Sequence, residues 1–190
     1  MKVIETGIEG LVIIEPDIHG DNRGYFVETY NKERYYNAGI KADFVQDNMS
    51  YSTVKNTFRG LHYQRAPYSQ AKLVSCSKGR VIDVAVDIRK GSPTYGQYAF
   101  CELSKENGRQ FFVPKGFAHG FLTLSDEVEF RYKCDELYNK ESEGSIAYND
   151  QTINIDWSQF MEGTPILSEK DRNAPSLKDC NANFIYKENC

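Results

Sequence analysis

The chain has 190 residues, of which 13% are aromatic (thirteen Tyr and eleven Phe), and a formal net charge of −4. This length supports one domain with a full core, and the negative balance argues against a nucleic-acid partner, which selects a basic face. The five cysteines (Cys76, Cys101, Cys134, Cys180 and Cys190) show no C-x-x-C spacing, and no basic leader precedes an apolar run of membrane-spanning length. A disulfide framework, a zinc knuckle, a secretory leader and a membrane span are therefore not expected, and a reducing cytoplasm is the expected compartment.

Residues 1–15 alternate loosely and read as strand material. Residues 19–24 (His-Gly-Asp-Asn-Arg-Gly) carry turn chemistry. A strand is predicted over residues 25–30, with Phe26 and Glu28 on one face. Asn31 can cap a short helix running to Ala38, and Gly39 can end it. Residues 44–50 lead toward the stretch Arg59-Gly60-Leu61-His62-Tyr63-Gln64.

From Lys72 onward the strand pattern is plain. Ile82, Val84, Val86 and Ile88 fall on one face, and Val81, Asp83, Ala85 and Asp87 on the other. Gly91-Ser92-Pro93 breaks the run, a strand follows over residues 95–103, and residues 105–108 form a turn. Val128, Phe130 and Tyr132 share a face opposite Glu129, Arg131 and Lys133. A last short strand is predicted over residues 151–157, an irregular segment over 164–175, and a tail over 176–190. With no repeat or linker, residues 1–190 read as one all-β domain with a few short helices. Short strands between turn signals favour a jelly-roll barrel, whose mouth can hold a ligand.

Two of the three histidines lie in glycine-containing stretches, His62 in residues 59–64 and His119 in residues 109–121. Arg59 and His62 fall on opposite faces of a regular strand, so a shared pocket requires a bulge, with Gly60 the natural place. Gly108, Pro114, Gly116 and His119 fit G-x5-P-x-G-x2-H, which resembles the second motif of the cupin barrels, where this histidine binds a metal. The first cupin motif needs H-x-H and a later glutamate. Here His62-Tyr63-Gln64 stands in its place, with Tyr68 near the position of the acid. A three-histidine metal centre cannot be assembled from these residues, and no metal is expected.

The chain resembles the dTDP-4-dehydrorhamnose 3,5-epimerases, metal-free cupins of deoxysugar synthesis. The likeness runs from about Gly10 to Pro175. It rests on Asp21-Asn22-Arg23-Gly24-Tyr25-Phe26-Val27-Glu28, Phe44-Val45-Gln46-Asp47-Asn48, residues 59–64, and Gln70-Ala71-Lys72-Leu73-Val74. It continues through residues 83–89, residues 114–121, Tyr132-Lys133-Cys134 and Leu167-Ser168-Glu169-Lys170-Asp171, all in the same order. This chain departs from the family at Met49, Arg131, Asp135-Glu136-Leu137, Tyr148 and Gln151.

The resemblance implies a double-stranded β-helix of the cupin type and a substrate that is a dTDP-linked 4-keto-6-deoxy sugar. Carbons 3 and 5 flank the ketone, which acidifies their protons and serves as electron sink, so no cofactor is implied. Inversion needs a base, an acid on the other face and a group holding the enolate oxygen. By resemblance His62 is the base, Asp171 the carboxylate orienting it, Tyr132 the acid and Lys72 the cation near the enolate. Arg23, Glu28, Gln46, Asp47, Asn48, Arg59, His119, Glu143 and Lys170 match contacts to the nucleotide sugar, and Tyr138 matches a ring stacked on thymine. The family also implies a homodimer whose N-terminal strands cross between subunits and contribute Arg23 and Glu28, with neither nucleic acid nor membrane as partner. Three alternatives remain open: an epimerase of one carbon only or of another nucleotide's sugar, a non-catalytic cupin sensing a sugar nucleotide, and a metal-dependent oxygenase.

Overall fold

Period-two alternation of apolar side chains builds the framework. The computed structural model describes residues 1–187. In chain order the strands are β1 (Lys2–Glu5), β2 (Val12–Glu15), β3 (Ile18–Asp21), β4 (Gly24–Val27), β5 (Gln46–Ser52), β6 (Phe58–Gln64) and β7 (Lys72–Lys78). They continue as β8 (Arg80–Asp87), β9 (Tyr98–Ser104), β10 (Gln110–Val113), β11 (Phe117–Thr123), β12 (Val128–Cys134) and β13 (Glu143–Ser145). Two short α-helices, α1 (Lys32–Asn37) and α2 (Glu169–Arg172), and two single 3-10 turns, Lys140–Ser142 and Trp157–Gln159, complete the set.

The strands form a six-stranded sheet, β1-β2-β10-β7-β12-β5, a five-stranded sheet, β13-β6-β11-β8-β9, and the separate hairpin β3–β4. Every ladder among the described residues is antiparallel. The two sheets face each other as a jelly-roll barrel. Val81, Ala85 and Phe121 of one meet Val74, Phe111 and Phe130 of the other. The far face of β8 is buried too: Ile82, Val84 and Val86 pack under Ile155, Trp157 and Phe184. Thus both faces predicted for residues 81–88 are interior, and Asp83 and Asp87 on the inner face are fully buried.

Several sequence expectations are corrected. Residues 19–24 are mostly strand, with only Asn22 and Arg23 at the turn of the β3–β4 hairpin. β4 ends at Val27, so Glu28 lies outside it, and β9 starts at Tyr98 rather than at residue 95. Residues 151–157 are not a strand: 151–153 make a turn and Trp157 opens the 3-10 turn Trp157–Gln159. There Asp150 Oδ1 accepts from the amides of Thr152 and Ile153, both at 2.9 Å, and this local bonding competes with a ladder. Sheet pairing falls instead to β13. Within residues 164–175, Ser168 caps the single turn of α2. Residues 176–187 are packed rather than tail-like: Leu177, Ala182 and Phe184 are buried, and Ile185 bridges Lys90. The predicted tail beyond residue 187 lies outside the described residues. Asn31 caps α1 as expected, accepting from the Arg34 amide at 3.1 Å, and Gly39 follows with a φ of 93°.

Candidate active site

β6 and β11 are neighbours in the five-stranded sheet, and their register sets His62 opposite His119. The register shifts between His119 and Phe121, across from Gly60. Gly60 has a φ of 138°, and a Cβ there would lie 2.5 Å from Gly120 Cα and 2.9 Å from the His119 carbonyl oxygen. This irregularity, which the strand parity of Arg59 and His62 demanded, lets both side chains line one cavity.

That cavity has a volume of about 440 Å³ and holds His62, His119, Lys72, Tyr132, Asp171 and Arg59 on its walls. His62 and Asp171 are 109 residues apart, yet His62 Nε2 lies 2.6 Å from Asp171 Oδ1. Backbone bonds hold the Asp171 segment at both ends. On one side the Phe58 amide donates to the Ile166 carbonyl at 3.0 Å, and on the other the Ala147 amide donates to the Pro175 carbonyl at 2.8 Å. Asp171 is 4% exposed and His62 29%, so the carboxylate is shielded while the imidazole opens to the cavity. Burial pushes the Asp171 carboxyl up, but hydrogen bonds from His62 and Ser168 outweigh it and hold the group below its ordinary value.

A second His–carboxylate pair lies beside the first. His119 Nε2 is 2.9 and 3.0 Å from the two oxygens of Asp83. Asp83 is a participant that the sequence reading missed. Its signal was a carboxylate between Val81 and Ala85 on a strand face that also carries Asp87. Burial raises its pKa, and the neighbouring His119 only partly opposes this.

On the facing sheet, the half-buried Lys72 of β7 lies with its Nζ 5.9 Å from the centre of the Tyr132 ring of β12. Burial lowers the Lys72 pKa and raises that of the Tyr132 phenol. Both changes favour the neutral forms, as low-dielectric surroundings require.

A smaller adjoining cavity of about 160 Å³ shares His62, Lys72 and Tyr132 and adds Gln46, Asn48, Tyr138 and Glu143. Gln46 Nε2 donates to Asn48 Oδ1 at 3.0 Å, and the Tyr138 amide donates to Gln46 Oε1 at 3.0 Å, leaving the Tyr138 ring exposed. Lys170 reaches this mouth through Glu143, with Nζ 2.6 Å from the carboxylate. Arg59 is braced on β5 by the Ser52 hydroxyl and the Tyr51 carbonyl, both at 3.2 Å.

Four predicted residues do not line these cavities within one chain: Lys170 reaches them only through Glu143, and the other three are paired elsewhere. Arg23 pairs with Asp21 at 2.6 Å, Glu28 with Arg34 at 2.9 Å and Asp47 with Lys133 at 2.8 Å. Asp47 lines a larger groove of about 540 Å³ under the β3–β4 hairpin, which includes neither His62 nor Asp171. Among the described residues no three His, Cys, Asp or Glu side chains are grouped so as to hold a metal ion. His62 and His119 each turn Nε2 to a carboxylate instead.

The family model of dTDP-4-dehydrorhamnose 3,5-epimerase matches residues 5–179. The chain belongs to this family. It is 52% identical over 178 residues to the dTDP-4-dehydrorhamnose 3,5-epimerase of Salmonella typhimurium, covering 93% of this chain and 96% of the relative. The corresponding enzyme of Shigella flexneri is 51% identical over 180 residues, covering 94% and 97%. The crystal structure of the Legionella pneumophila dTDP-6-deoxy-D-glucose-3,5-epimerase, in complex with dTDP-4-keto-L-rhamnose, superposes with a TM-score of 0.88. It is 51% identical and covers 93% of each chain.

Proposed function

We propose that the chain is an isomerase that inverts carbons 3 and 5 of dTDP-4-dehydro-6-deoxy-D-glucose, giving dTDP-4-dehydro-6-deoxy-L-mannose for dTDP-L-rhamnose synthesis. One observation carries the mechanism. His62 projects from the five-stranded sheet and Tyr132 from the six-stranded sheet into the same cavity. Inversion requires a proton to leave one face of a carbon and another to arrive at the opposite face, and two facing walls supply that arrangement.

With the Nε2 proton held by Asp171, the lone pair of His62 Nδ1 is the base. It takes a proton alpha to the ketone while the Asp171 carboxylate stabilises the imidazolium that forms. The electron pair moves onto the ketone oxygen. Lys72, which makes no ion pair among the described residues, is the cation available to that oxyanion. Tyr132 then donates the phenolic proton to the other face of the carbon. Arg59 supplies donors for the diphosphate oxygens, and His119, held by Asp83, lies on the cavity wall beside the sugar. Gln46, Asn48, Glu143, Lys170 and the exposed Tyr138 ring receive the nucleoside.

We further read the chain as one domain acting in the cytoplasm as a homodimer. The β3–β4 hairpin, with Tyr25 and Phe26 exposed, reaches the partner and presents Arg23 and Glu28 to its site; Asp47 lies on the groove beneath. No helix among the described residues is long and apolar enough to cross a membrane. Product analysis by NMR tests the reaction. Inverted centres at both carbon 3 and carbon 5 are expected, and a product altered at one carbon only, or none with the dTDP sugar, would overturn the proposal.

A further inference from the structure

The His62–Asp171 pair continues one residue further. Ser168 Oγ donates to Asp171 Oδ2 at 2.8 Å, while Oδ1 of the same carboxylate faces His62. The same Ser168 Oγ accepts from the Asp171 amide at 3.1 Å, which makes it the N-cap of α2. One hydroxyl therefore fixes both the backbone and the carboxylate plane of Asp171. Ser168 sits on the cavity wall next to Ile166, whose backbone bonds tie this segment to the start of β6.

We propose that Ser168 is a positioning residue of the epimerase reaction, acting through Asp171 to hold the imidazole of His62 in its proton-accepting tautomer. The inference rests on the catalytic reading of His62 given above. A carboxylate with one oxygen anchored cannot rotate, so its other oxygen stays in the ring plane of the imidazole. A hydroxyl donor also neutralises part of the charge on Oδ2, which keeps the carboxylate ionised inside a largely buried site. A helix cap alone needs none of this, because it needs only an acceptor.

That difference supplies the test. Capping strength falls markedly on substitution by Ala but only slightly on substitution by Gly. Both variants remove the donor to Asp171, and Thr keeps donor and acceptor. Ser168→Gly, Ser168→Ala and Ser168→Thr are compared with the full-length wild type, whose own turnover of the dTDP sugar must be present. If the wild type shows none, it is the parent reading that fails. The expected result is a kcat lowered roughly 10–100-fold in both Gly and Ala variants, the range seen when a partner behind a functional ligand is removed. KM stays within about twofold, Thr restores kcat, and Ala alone loses noticeable thermal stability.

The acid limb of kcat/KM should move to higher pH in the Gly and Ala variants, since a carboxylate freed of one donor holds the imidazolium more strongly. The other groups facing the pair are Lys170, Lys72, His119, Tyr132, Arg59 and Glu143, and none of them is altered by the exchange. The proposal is overturned if Ser168→Gly retains kcat within about twofold of wild type. It is equally overturned if activity falls only in step with stability and the pH profile stays fixed, or if KM rises with kcat intact, which would make Ser168 a substrate contact.

Discussion

Replacing Asp171 by Asn keeps the shape of the side chain and changes only what it can offer. In the wild type both carboxylate oxygens accept: Oδ1 from His62 at 2.6 Å and Oδ2 from Ser168 at 2.8 Å. An amide has one acceptor and one donor end. If its NH2 faces the imidazole, Nε2 must become the acceptor and the ring proton moves to Nδ1, which removes the base. If its oxygen faces the imidazole, the tautomer survives, but no negative charge remains to stabilise the imidazolium. Either loss acts in the transition state, so Asp171→Asn should lower kcat by about 10²–10⁴-fold, as in other His–carboxylate pairs, with little change in KM. The carboxyl also contributes to stability, with a sign that follows from its lowered pKa. Its contribution is present above the ordinary value of 3.8 and is lost as pH falls through the folded value. The stability difference between wild type and Asp171→Asn should therefore be largest near neutrality and shrink on acidification. Steady-state kinetics and urea melts at several pH values read both quantities. A variant that keeps kcat within about tenfold of wild type would refute the role assigned to Asp171.

Asp83→Asn replaces the carboxylate that holds His119 Nε2 by a neutral amide in a fully buried site, and a loss of about 1–3 kcal/mol is expected, read as a lower urea midpoint. Because burial raises the Asp83 pKa, the wild-type contribution is full below the ordinary carboxylate value and is lost as pH rises through the folded value. The penalty should thus be greatest in acid, and a penalty growing with pH would contradict the assignment. Burial lowers the Lys72 pKa, and a reaction that needs its ammonium should have its alkaline limb of kcat/KM set by Lys72. Lys72→Arg, where some activity remains, should move that limb upward, and an unmoved limb would assign it elsewhere. Gly60→Ala places a Cβ 2.5 Å from Gly120 Cα at a φ of 138°; a loss of roughly 2–5 kcal/mol is expected in chemical denaturation. A change under about 0.5 kcal/mol would show that the bulge relaxes freely.

Much of this architecture was legible in the chain because strands advertise their faces locally. The alternation over residues 81–88, the Val128–Phe130–Tyr132 face and the Asn31 cap each depend on neighbours a few residues away. The bulge was legible for a related reason: Arg59 and His62 could not share a pocket without one, and a glycine stood between them. What stayed hidden depends on distant contacts. The resemblance supplied Asp171, but nothing local says that it meets His62 across 109 residues. Asp83 looked like one of two carboxylates, with Asp87, on the second face of its strand, and nothing local says that His119 meets it from β11. The alternation of Ile153, Ile155 and Trp157 is real burial, yet it is satisfied against the far face of β8 rather than by a ladder. Residues 176–187 read as a tail, but they place Leu177, Ala182 and Phe184 at buried positions. Arg23 and Glu28 sit away from the cavity of their own chain, paired with Asp21 and Arg34.

The most direct measurement follows solvent exchange. Wild type and His62→Asn are incubated with dTDP-4-keto-6-deoxyglucose in deuterated water, and carbons 3 and 5 are observed by NMR. If His62, oriented by Asp171, is the base for both inversions, deuterium enters both positions with wild type and neither with the variant. Unchanged exchange in His62→Asn, at either carbon, would contradict the account and place the base on another wall of the cavity.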